Sequence, residues 1–142
     1  MAKLLQRLGD AAKSGVYRAS RLDAIEDALR GSRLGFARIG LQDVTEKSAL
    51  LRRIAATLGF PGWFGENWDA LEDCLTDLSW REGAGHVLVV EGFQSLPSED
   101  LRELIDVMIS AAQFWAGRVR PFFAVFIDPE RALALASLYQ EA

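Results

Sequence analysis

Five carboxylates crowd one stretch of this 142-residue chain: Glu66, Asp69, Glu72, Asp73 and Asp77 lie between Phe60 and Leu78 with no base among them. Wound as a helix at about 100° per residue, these acids and Thr76 fall within an arc of roughly 140°. Trp68, Ala70, Leu71, Cys74, Leu75 and Leu78 take the other side. Such a helix can seat its apolar arc on a core and keep hydrated, ionised carboxylates outward. Like charges one turn apart, such as Asp69 and Asp73, cost an isolated helix about 0.2–0.5 kcal/mol per pair, which a cationic partner would offset. Just upstream, Pro61, Gly62 and Gly65 supply one fixed φ and two permissive positions, a tight bend that would present Trp63 and Phe64. An exposed aromatic pair beside uncompensated acids has the makeup of an interface hot spot. The chemistry expected of this stretch is recognition of a positively charged surface.

The flanking sequence supplies elements to hold it. Leucines and alanines at helical spacing, with Lys3, Arg7 and Lys13 between them, make residues 1–14 a short basic amphipathic helix or arm. Ser20 to Asp23 reads as a capping box for a helix closed by Gly31, and Leu34 to Ile39 as a first strand. Asp43 to Glu46 reads as the cap of a second helix, ended by Gly59 and Pro61. His86 to Glu91 is a nearly unbroken apolar run, expected of a central parallel strand covered on both faces. A helix over Pro97 to Ala116, a strand over Phe122 to Ile127 and a closing helix opened by Asp128 and Pro129 complete the reading. Three strands separated by helices imply parallel crossovers, hence an α/β fold with a small three-stranded parallel sheet.

Composition narrows the function classes. A chain of 142 residues, 50% apolar and 25% charged, is ordinary for one soluble domain and needs no disulfide or metal to close a core. The single cysteine, Cys74, and single histidine, His86, form neither an intramolecular bridge nor a Cys/His zinc cluster, and both read as structural. A reducing cytoplasm fits best, because neither a signal-peptide core nor a membrane-length apolar run is present. A net charge of −4 argues against direct nucleic-acid binding, which needs a basic face, and an acidic protein can instead bind what nucleic acid binds.

The run from Phe60 to Leu75 resembles the signature loop and helix of the barstar family, small intracellular inhibitors of guanyl-type ribonucleases. The likeness extends more weakly over residues 41–127. It implies a barstar-like domain at 21–142, an N-terminal extension at 1–20, and a basic ribonuclease as partner, its active site blocked by carboxylates standing where RNA phosphates would lie. Carried over, it makes Asp73 the central phosphate mimic, Asp69 a second charged contact and Trp63 the loop aromatic. Asn67, Gly65 and Thr76 would fill supporting positions. Phe64, Glu72, Trp68 and Asp77 depart from the prototype, which has tyrosine, tryptophan, leucine and glycine there. A glutamate that the prototype carries on its later helix has no counterpart between Val107 and Gln113.

Together these readings place partner contacts at Trp63, Phe64, Gly65, Asn67, Asp69, Glu72, Asp73, Thr76 and Asp77, with no catalytic residue, cofactor or metal. Trp68 is expected in the core, and Trp80 and Trp115 in packing roles. Two other classes stay open. One is an adaptor that docks a basic protein other than a nuclease through the same loop and helix. The other is an enzyme in which Glu66, Asp69 and Asp73 hold Mg²⁺ for phosphoryl transfer. Against the enzyme, the acids come mainly from one helix, and no phosphate-cradling glycine motif, nucleophile elbow or histidine base accompanies them.

Overall fold

The structure, a computed structural model, describes residues 2–139. The first residue of the 1–20 extension and the last three of the 21–142 span lie outside the described residues.

Two runs without a polar break, β3 (His86–Glu91) and β4 (Phe122–Ile127), pair in parallel in the sheet interior. Each is buried up to its last residue, the outcome expected of strands covered on both faces. Beyond β3 lies β2 (Gly35–Gly40), and beyond β4 lie β1 (Gly15–Ala19) and the two-residue β5 (Ala136–Ser137). The order is β2-β3-β4-β1-β5 and every pairing is parallel.

The α/β class and the flanked parallel sheet are as expected, but the sheet has five strands where three were expected, and β4 is its central one. The additional strands come from outside the region of resemblance. Gly15 to Ala19 aligns with Phe123 to Ile127, so part of the N-terminal extension shares the sheet. The expected closing helix does not form among the described residues. Asp128 is fully buried and its carboxylate accepts from the amides of Ala132 (2.9 Å) and Leu133 (2.8 Å), folding a loop that lays β5 along β1. A carboxylate engaged in this way organises a turn as readily as a helix start.

Side chains alternate across the strands, giving a core on each face of the sheet. Val87, Val89, Phe123 and Val125 meet α1 (Ala2–Leu8) and α2 (Asp23–Leu29). Leu88, Val90, Phe122, Ala124 and Phe126 meet α3 (Lys47–Leu58), α4 (Trp68–Leu75) and α5 (Ser98–Gly117). The N-cap positions of α2 and α3 are Leu22 and Glu46, and neither makes a side-chain capping bond, so the cap of α2 falls two residues after the expected Ser20. Gly59, at φ +68°, ends α3 as a left-handed cap and turns the chain into the aromatic loop.

Candidate functional site

Three interactions build the acidic helix. The Asn67 side chain accepts from the Ala70 amide at 2.8 Å and starts α4, satisfying one of its free amides. Leu71, Cys74 and Leu75 on its inner side are fully buried, which fixes its rotation. Trp115 of α5 donates its indole N–H to the Leu75 carbonyl at 2.8 Å and ties down its last turn. The helix is shorter than the acidic stretch. Glu66 precedes it in a left-handed conformation (φ 54°), and Thr76 and Asp77 follow it.

Asp69, Glu72 and Asp73 therefore form the exposed carboxylate row, and none of them makes an ion pair among the described residues. Asp69 also sits in the first turn, where the helix dipole favours it. Glu66 departs from the expectation of uncompensated acids, because Arg52 of α3 stands 3.9 Å from it. Both side chains are more than half exposed, so this contact is weak. Thr76 donates its hydroxyl to the Glu72 carbonyl at 2.8 Å, and the Asp77 carboxylate accepts from Ser79 N–H at 3.2 Å; both residues are half-buried.

In the loop the aromatic pair divides. Trp63 is 58% exposed and lies edge-on to Trp80, with ring centroids 6.5 Å apart. Phe64 is half-buried, edge-on to Phe60 at 5.0 Å and packed against the core, so it is not the second exposed ring that was expected. Trp80 carries more than packing: its indole donates to the Leu58 carbonyl at 2.9 Å, holding the loop base against the end of α3. Gly65 is exposed with φ outside the left-handed region, so the strained position of the bend is Glu66 and not either permissive glycine.

Lys47, Asn67, Trp68, Asp69, Ala70, Asp73 and Glu103 line a cleft of about 640 Å³ between α4 and α5. Glu103 is not among the expected contacts, since it lies one turn before the Val107–Gln113 stretch in which the resemblance has no glutamate. Trp68, expected in the core, is half-buried: it packs on the core and also lines this cleft. Inside the helix, burial pushes the Cys74 thiol up to about 11, with the charges of Asp73 and Asp77 adding to the effect, so it stays protonated and inert at neutral pH. Among the described residues no three His, Cys, Asp or Glu side chains are grouped to hold a metal ion, and no helix is long and apolar enough to cross a membrane.

The geometry provides an exposed row of fixed negative charge, a cleft that widens it to a second helix, and a separate indole anchor. A family model described as Barstar (barnase inhibitor) matches residues 34–127, the stretch from the start of β2 to the end of β4. No curated protein matches the chain.

Proposed function

The chain belongs to the barstar family, and from that premise we propose that it inhibits a basic, guanyl-type ribonuclease by placing the carboxylates of α4 in the RNA-binding cleft. The observation that carries this reading is the exposure of Asp69, Glu72 and Asp73 on one helix, none of them in an ion pair among the described residues. A nuclease must hold RNA phosphates with cationic side chains, so its cleft has a positive potential that such a row complements. The helix is anchored by its inner side and its Trp115 bond, so few degrees of freedom are lost on docking. Asp73 sits centrally, Asp69 and Glu103 extend the charge across the cleft, and Trp63 supplies the apolar anchor at the far end of the loop. Glu72, Gly65, Asn67, Thr76 and Asp77 complete the proposed contact surface, with half-buried Phe64 holding the loop through its packing on Phe60. Inhibition of this kind is occlusion and requires no bond-making by the inhibitor. The buried, unbridged cysteine supports action in a reducing cytoplasm.

Cleavage of RNA by a barnase-type ribonuclease, measured with wild-type protein and with Asp73→Ala, tests the proposal. Wild type should abolish cleavage near equimolar ratio, and Asp73→Ala should weaken inhibition by about 2–5 kcal/mol, the usual effect of leaving one partner of a docked charge pair alone. Undiminished cleavage with folded wild-type protein present would favour the adaptor.

A further inference from the structure

One cation stands inside the acidic cleft. Lys47, the first residue of α3, places its ammonium 5.8 Å from the centroid of the Trp68 ring, within reach of its electron-rich face. Lys47 is exposed and makes no ion pair among the described residues, although Asp69, Asp73 and Glu103 line the same cleft. The lysine thus rests on an indole while three carboxylates nearby stay unpaired. An incoming guanidinium or ammonium would seek the same charge, and the same ring face would suit it, since guanidinium stacks on indole well.

We propose that Lys47 is a built-in competitor for the α4–α5 cleft: it holds the Trp68 face until a cationic side chain of the partner displaces it. This rests on the inhibitor reading for the partner's class, and it adds two residues that tune recognition, Trp68 as the ring that receives the cation and Lys47 as the group that yields it. The physical consequence is selectivity. A partner without a cation that reaches the ring gains nothing from moving Lys47 and still meets its positive charge, whereas a partner that replaces it recovers both the stacking and the three carboxylates.

Hexa-arginine peptide is the probe, titrated into the full chain while the backbone amide resonances of α4, present in every variant, are followed by NMR. Lys47→Met should bind it about two- to fivefold more tightly than wild type. Lys13→Met removes the same charge outside the cleft and should change affinity by less than about half that factor. In a Trp68→Leu background the gain from Lys47→Met should disappear; if that background does not fold, Trp68→Phe, with a weaker ring face, should shrink it. Equal gains from the two lysine variants, a gain that survives loss of the indole, or no binding of the peptide would each overturn the proposal. Inhibition of a barnase-type ribonuclease, assayed in parallel, separates the two readings. A nuclease left uninhibited while the peptide behaves as stated removes the inhibitor function and keeps the cleft assignment. Inhibition with no selective effect of Lys47→Met does the reverse.

Discussion

The indole of Trp115 reaches across from α5 to the carbonyl of Leu75, 2.8 Å away, and so ties the acidic helix to the longest helix of the fold. That carbonyl belongs to the last turn of α4, where no intrahelical amide is available to it. Recognition and stability therefore meet in one buried bond.

Replacing Trp115 by Phe keeps a ring in the core but leaves the Leu75 carbonyl without this donor. The expected loss is about 1–3 kcal/mol in urea-induced unfolding. Inhibition should weaken as well, because the carboxylate row is held from that end. A variant as stable as wild type would show that water or a neighbour satisfies the carbonyl.

His86 opens β3 almost completely buried, 5.8 Å from the Trp115 ring. Burial holds its pKa down from 6.5 to about 4, with the Arg120 and Arg81 charges adding to the shift. The folded protein thus refuses a proton that the unfolded chain accepts below about 6.5, so stability should be complete above that pH and decline toward pH 4. Unfolding free energies should fall by about 2 kcal/mol between pH 6.5 and 4.5. His86→Gln should flatten that part of the profile, whatever it does to stability at neutral pH. An unchanged slope would assign the acid sensitivity to other groups.

Much of this architecture was legible in the residue pattern. The buried strands β3 and β4 announce themselves as unbroken apolar runs, and the inner side of α4 as a helical apolar arc. What escaped depends on contacts distant in sequence. β1 is five residues long with Arg18 inside it, and β5 only two, so neither shows a strand pattern; each is defined by the strand it pairs with, β4 for β1 and β1 for β5. Asp128 and Pro129 do look like a helix start, but burial of the Asp128 carboxylate against two loop amides prevails. Glu103 joins the site only through the packing of α4 on α5. The division between exposed Trp63 and half-buried Phe64 is likewise decided by packing, Phe64 lying edge-on to Phe60 against the core and Trp63 edge-on to Trp80.

Just past the C-terminal end of α5, Val119 holds φ +57° while 81% exposed. A β-branched residue in the left-handed region is strained by roughly 1–2 kcal/mol, and no burial repays it here. After the added flexibility of a glycine-containing unfolded chain, Val119→Gly should still stabilise the fold by about 0.5–1 kcal/mol. Thermal unfolding would register this as a higher Tm, and a lowered Tm would mean that the valine side chain makes contacts worth more than its strain.

If the carboxylate row guides encounter, the association rate with a basic ribonuclease should drop steeply as salt rises through the range where the screening length falls below about 10 Å. Dissociation should change far less. Stopped-flow mixing at several ionic strengths would show this, and a salt-independent association rate would deny any steering role to Asp69, Glu72 and Asp73.

The most direct test of the central claim is steady-state RNA cleavage by a barnase-type ribonuclease at several fixed concentrations of Asp73→Ala, the variant weakened enough for equilibrium kinetics. If the carboxylates of α4 occupy the place of RNA, the apparent KM will rise with inhibitor concentration while kcat stays constant. A falling kcat at constant KM would place the inhibitor elsewhere on the nuclease and contradict the account.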